Sequence, residues 1–140
     1  MNQLSNNLLF IYRERSIVLK LNENSGVSIY VQIAESIKEQ ILRGIYIEDE
    51  QVPSTNELAK SLNINPATAG KGLNLLVDEG ILYKKRGVGM FVSPGSKESI
   101  LTKRKNEFCN KYIYEIISEA RNLGISKEEL IDMISNTDIK

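Results

Sequence analysis

The stretch "PSTNELAKSLNINPATAGKGLNLLVDEG", residues 53–80, decides the fold, because it holds two helix starts in close succession. After Pro53, the Ser54 hydroxyl is placed to cap the first free amides of a helix. Glu57, three residues on, is placed to answer the cap residue's own N–H, which makes a capping box. Leu58, Ala59 and Leu62 form the buried stripe of this helix, and Asn63 tolerates the left-handed conformation that closes one. Only Ile64 separates that end from Asn65, a second N-cap residue, with Pro66 at the first helical position, where its missing N–H costs nothing. The second helix runs to about Glu79 and stops at Gly80. Two short helices joined by about three residues, the second with its own cap, form a helix-turn-helix.

Upstream, Tyr30, Ile33, Ala34, Ile37, Ile41 and Leu42 recur at helical spacing with Glu35, Lys38 and Glu39 between them, so a helix is expected over about 28–43, closed by Gly44. Downstream, "ILYKKR" and "MFVS" flank "GVG" and read as a β-hairpin with basic residues at its tip. Helix, helix-turn-helix and hairpin together are a winged helix. Pro94 and Gly95 break the chain. A longer helical pattern follows from Ser96 to Leu123, and Ser126 with Glu129 forms a further capping box that opens a last helix with Leu130, Ile131 and Ile134 inward. The fold class expected is therefore mainly α with a small β-hairpin wing (α+β). Residues 1–25 are a leader with a short strand over Ile17–Leu21, residues 26–93 the winged helix-turn-helix, and residues 96–140 a two-helix tail.

Composition narrows the chemistry. The 140 residues carry 41% hydrophobic side chains, enough for a modest core, and 18 basic against 18 acidic groups, so any basic surface is local. There is no histidine, which removes the commonest general base and metal ligand and excludes a Ser/His/Asp triad. No metal, no cofactor and no enzymatic activity are expected. Cys109, the one cysteine, precludes an internal disulfide and reads as a packed thiol beside Phe108 and Tyr112. No apolar run approaches the roughly 20 residues of a membrane span, and Met1–Val18 lacks a signal-peptide pattern, so a cytoplasmic protein is expected.

The helix opened by Asn65 spends two glycines, each costing about 1 kcal/mol against alanine. At 100° per residue, Ala69, Leu73, Leu76 and Val77 share one face with Gly72 at its edge, while Ala67, Lys71, Asn74 and Asp78 share the other. Thr68 and Gly70 lie on the shoulders. A small, hydrogen-bonding face with one positive charge suits a major groove, where bulk would hold the backbone off the base edges. Thr68 can bond a phosphate or touch a thymine methyl, and Lys71 can reach a phosphate or a guanine. Gly70 would let the backbone approach DNA and Gly72 would let it approach another helix; the alternative is that both serve packing and Lys71 is a solvated lysine. Lys84, Lys85 and Arg86, beside Gly87 and Gly89, stand where a wing meets the minor groove or neighbouring phosphates. Against this, residues 26–93 hold seven basic and eight acidic side chains, so Glu48, Asp49, Glu50, Asp78 and Glu79 must face away from a duplex.

The segment "QVPSTNELAKSLNINPATAGKGLNLLVDEGILYKKRGVGMFV" resembles the winged-helix domain of GntR-type bacterial transcription regulators, and the resemblance covers about residues 26–93. It implies that Ser54, Thr68, Lys71, Arg86 and Gly89 keep the family's contact roles and that Asn56 and Ala67 are altered contacts; Thr55, Asn65, Gly70, Lys84, Lys85 and Gly87 complete the candidate DNA-binding residues. Asn56 stands where the family commonly has arginine, Ala69 where it has valine, and Val88 and Met90 where its wing has small or polar residues. The short tail, with "IYVQIAESIKEQI" and "GISKEELIDMI", is similar to the YtrA-like subfamily, which implies a dimerisation element and, often, control of ABC transporter operons.

A dimer also follows from mechanics, since two reading helices related by a two-fold axis read two half-sites of a palindromic operator. Leu101, Phe108, Tyr112, Ile116 and Leu123 form a stripe too long for the last helix to cover, so part of it is expected to pair with a second subunit rather than pack wholly on its own winged helix. The expected partners are thus double-stranded DNA and a second copy, with no membrane. An effector, unidentified from sequence, would find walls in Tyr112 and Tyr114 at a dimer seam. The alternative function is a winged helix used for protein contacts without sequence-specific DNA binding.

Overall fold

The computed structural model describes residues 21–139. The leader over residues 1–20, with nearly all of the strand expected at Ile17–Leu21, lies outside the described residues. The elements run α1 (Ile29–Leu42), α2 (Thr55–Leu62), α3 (Pro66–Asp78), β1 (Leu82–Lys85), β2 (Gly89–Val92), α4 (Ser96–Phe108), a π-helical turn (Cys109–Ile113), α5 (Tyr114–Asn122) and α6 (Lys127–Ser135). The chain divides into two compact units, one ending at Ile100 and one beginning at Leu101.

In the first unit, α1 and α3 supply most of the core: Ile33, Ala34, Ile37 and Ile41 meet Ala69, Leu73 and Leu76, with Leu58, Ile81, Leu82, Val92 and Ile100 closing the sides. The two glycines differ in what surrounds them. A Cβ on Gly72 would lie 2.9 Å from the Tyr30 carbonyl oxygen and 3.0 Å from Ile33 Cγ2, so α1 and α3 touch backbone to backbone there. A Cβ on Gly70 would meet Thr55 Cγ2 at 3.4 Å, an ordinary contact. At Gly70 the start of α2 thus lies beside α3, and the glycine itself is half-buried.

The helix ends follow the sequence reading. Ser54 Oγ accepts from Glu57 N at 3.2 Å, although the return bond from Glu57 is absent among the described residues, so half of that capping box forms. Asn63 takes the left-handed conformation, with φ 53°, and Asn65 Oδ1 accepts from Ala67 N at 2.8 Å. β1 and β2 pair antiparallel with Tyr83 opposite Phe91 and Lys84 opposite Met90. A third rung, missed in the sequence, is added by the segment before α2. Gln51 bridges Phe91, and backbone bonds run from Asp49 N to Val92 O, Val92 N to Glu50 O and Val52 N to Met90 O.

Lys38, expected among the solvent-facing residues of α1, is buried. Its Nζ pairs with Glu79 at 2.7 Å and Glu35 at 3.2 Å, fastening α1 to the end of α3. Burial pulls the ammonium down, but the bonds from Glu79 and Glu35 outweigh it and hold the group above its usual 10.5. Gln40 is buried, and its side-chain amide has no hydrogen-bond partner among the described residues.

In the second unit the long helix is interrupted by the π turn, which inserts one residue and displaces the apolar line. Ile113 and Ile117 are exposed beside Tyr112 and Ile116. Leu101, Phe108, Tyr112, Ile116 and Leu123 are all exposed. Cys109 is exposed too, contrary to the packed thiol expected, because it sits within this uncovered turn. The Ser126–Glu129 capping box is complete. Ile131 and Ile134, expected inward, are exposed, because α5 and α6 close on each other only along a line through Ala120, Ile125 and Leu130.

Gly72→Ala is expected to lower the unfolding free energy by about 1–3 kcal/mol in urea, since the added methyl meets backbone that cannot step aside. Lys38 contributes stability that is fully present below 10.5, its unfolded value, and is lost as pH rises through the raised folded value. Urea unfolding across alkaline pH is therefore expected to show a steeper fall for the unmodified protein than for Lys38→Met.

Candidate nucleic-acid interface

The starts of α2 and α3 lie side by side, with Thr55 against Gly70. Ser54 and Asn65 each use a side-chain oxygen to cap their helix, which leaves the Ser54 hydroxyl proton and the Asn65 amide group as donors. Asn56, Ala67, Lys71 and Asn74 are exposed around them, and Thr55 and Thr68 are half-buried. This surface is small-sided and rich in donors, as two adjacent helix N-termini dictate. Among the described residues its cation is Lys71, whose Nζ stands 4.1 Å from the centroid of the Tyr30 ring. Tyr30, expected in the buried stripe of α1, is instead half-buried at the edge of this surface.

The wing divides its three basic residues. Because side chains alternate along a strand, Lys84 shares the core-facing side of the hairpin with Leu82, Met90 and Val92, and Lys85 shares the outer side with Tyr83 and Phe91. The Tyr83 and Phe91 rings stack at 5.7 Å, and Lys85 Nζ lies 4.4 Å from the Phe91 centroid. Arg86 and Gly87 form the turn, where Val88 N donates to Lys85 O at 3.0 Å and Gly87 takes φ 74°. Gly89 takes φ 149°, and a Cβ there would overlap the Gln51 amide, whose Nε2 donates to Val88 O at 3.0 Å. Gln51 thus props the wing from behind; as a single rung it had no periodicity by which the sequence could reveal it.

The acidic residues that conflicted with a duplex partner are mostly engaged elsewhere. Glu48 Oε1 accepts from Gly95 N at 2.7 Å, Asp49 Oδ1 from Tyr83 OH at 2.7 Å, Glu50 Oε2 from Ile47 N at 3.1 Å, and Glu79 holds Lys38. The Asp49 bond, with burial and the carboxylate's charge behind it, holds the Tyr83 phenol above its usual value. Among the described residues, Asp78 at the far end of α3 is exposed and forms no such bond.

Residues 29–92, from the first residue of α1 to the last of β2, match the family described as "Bacterial regulatory proteins, gntR family". Over 125 residues the chain is 30% identical to the HTH-type transcriptional repressor YtrA of Bacillus subtilis, covering 88% of this chain and 95% of that one. The chain belongs to the GntR family, in its YtrA-like group. Its fold is similar to that of a GntR-family transcriptional regulator from Bacteroides thetaiotaomicron, with TM-score 0.65 and 34% identity over 76% of this chain and 93% of that one. It is also similar to YtrA from Sulfolobus acidocaldarius, a GntR-family transcription factor, with TM-score 0.54 and 30% identity over 67% of this chain and 99% of that one. This GntR-family chain is accordingly a DNA-binding transcription regulator with a winged helix-turn-helix. Among the described residues no helix is long and apolar enough to cross a membrane.

Gly89→Ala is expected to disturb the wing while leaving the helical core folded. The far-ultraviolet spectrum should be retained, and amide exchange at Val88 and Met90 should accelerate by at least about tenfold as the Gln51 prop is displaced.

Proposed function

We propose that this protein is a homodimeric repressor in the cytoplasm that occupies a palindromic operator, α3 entering the major groove and the wing reaching adjacent phosphates or the minor groove. The observation that carries this reading is the exposed surface at the starts of α2 and α3, small-sided, donor-rich and bearing Lys71, with Asp49 and Glu48 of the loop before α2 bonded to Tyr83 and Gly95. Within it, Asn56, Ala67, Thr68 and Lys71 are the proposed base or phosphate contacts, Ser54, Thr55, Asn65 and Gly70 the phosphate-side contacts of the two helix starts, and Lys84, Lys85, Arg86, Gly87 and Gly89 the wing contacts. Similarity to the YtrA-like group supports an ABC transporter operon as the target.

The second copy is proposed to cover the stripe of Leu101, Phe108, Tyr112, Ile116 and Leu123, which is exposed along its whole length. Apolar area of this kind stabilises association at about 25 cal/mol per Å² removed from water. The proposed place for a small-molecule effector is that seam, near Tyr112 and Tyr114.

Fluorescence anisotropy against the DNA upstream of its own gene and against a scrambled duplex, at two salt concentrations, tests the DNA reading. The expected result is salt-sensitive binding with a clear preference for the upstream DNA, weakened about 10-fold or more by Lys71→Ala. Equal binding to both duplexes, repeated after operator selection from a random pool, would instead favour a protein partner. Sedimentation is expected to give a dimer that Tyr112→Glu converts to monomer; a monomeric unmodified protein at micromolar concentration would remove the homodimer.

A further inference from the structure

We propose that Tyr30 is a positioning residue of the nucleic-acid interface: its ring seats the Lys71 ammonium and so fixes where the single cation of α3 is delivered. The proposal rests on the DNA-binding reading above and names a residue that this reading leaves out. Three observations on different elements converge on it. Lys71 Nζ lies 4.1 Å from the Tyr30 centroid, within cation–π range. Tyr30 belongs to the first turn of α1, and its own carbonyl oxygen is the atom that a Cβ on Gly72 would meet at 2.9 Å. The glycine beside Lys71 thus sets the distance at which ring and ammonium meet. Tyr30, Gly70, Lys71 and Asp78 line the same crease, which opens outward between α1 and α3.

A ring seat differs in kind from an ion pair. A free lysine side chain loses up to about 2 kcal/mol of rotamer freedom when it is fixed on a ligand. A carboxylate partner would reduce that loss but would also neutralise the charge and have to be displaced by the phosphate. A ring confines the ammonium and leaves its charge uncompensated and its N–H groups free to donate. Asp78 lines the crease but forms no ion pair with Lys71 among the described residues, so the aromatic seat is the arrangement present. Lys71 therefore meets DNA pre-ordered, seated on a ring rather than on a carboxylate that DNA would have to displace.

The test is a double-mutant cycle measured by anisotropy on the duplex the unmodified protein selects from a random pool, with proton NMR of the free proteins beside it. Tyr30→Leu is expected to weaken binding about 2- to 5-fold per half-site. Tyr30→Phe should bind as the unmodified protein does, and Tyr30→Leu should add nothing in the Lys71→Ala background. The Lys71 Hε resonances should be shifted upfield by the ring, in the unmodified protein and Tyr30→Phe but not in Tyr30→Leu; Tyr30→Gln serves if the leucine variant folds poorly. An equal loss in both Lys71 backgrounds, or a loss in Tyr30→Phe as large as in Tyr30→Leu, would overturn the proposal. If the unmodified protein prefers no duplex while the upfield shift is present, the DNA reading has failed and the proposed role goes with it, the seat itself standing.

Discussion

The backbone contact between α1 and α3 at Gly72 is the constraint on which the rest of the winged helix depends. With the Tyr30 carbonyl and the Ile33 side chain filling the space a side chain would need, the two helices close far enough for Ile33, Ile37, Leu73 and Leu76 to exclude water completely. The same contact orients α3, so that its small face and Lys71 turn outward. The loss of intrinsic helix stability at Gly72 is offset by core burial that no larger residue permits.

The wing and the acidic loop are coupled in a comparable way. Asp49, Glu48 and Gln51 come from the loop before α2, yet they bond to Tyr83, Gly95 and Val88 around the hairpin. One set of hydrogen bonds therefore braces the wing and withdraws negative charge from the surface beside it. A near-neutral domain can serve a polyanion where acids such as Glu48, Asp49 and Glu79 have internal partners, and the net charge says little about the local field.

Much of this was legible in the sequence, and the divisions are physical. Caps and stops were readable because Ser54, Asn63, Asn65 and Gly80 act on neighbouring backbone, so their roles are local. The reading of Gly72 succeeded because a glycine inside an amphipathic pattern signals close approach, although which helix approached was not encoded locally. Lys38 was misread because its burial depends on Glu79, 41 positions away; Gln51 and Tyr30 were missed because a single bridge and a single ring contact leave no period. In the tail, the π turn shifts the helical phase, which a pattern at 3.6 residues per turn does not anticipate. The inward assignment of Ile131 and Ile134 failed for a simpler reason, since two short helices in one chain cannot cover each other's full apolar surface.

The most direct test of the central claim, that the starts of α2 and α3 together with the wing form the DNA-binding surface, is amide chemical-shift mapping of the labelled protein titrated with its selected duplex. The largest changes should fall at Thr55 and Asn56, from Asn65 to Lys71, and from Lys84 to Gly89. Changes confined to residues 101–139, with the α3 amides unmoved at saturation, would contradict it.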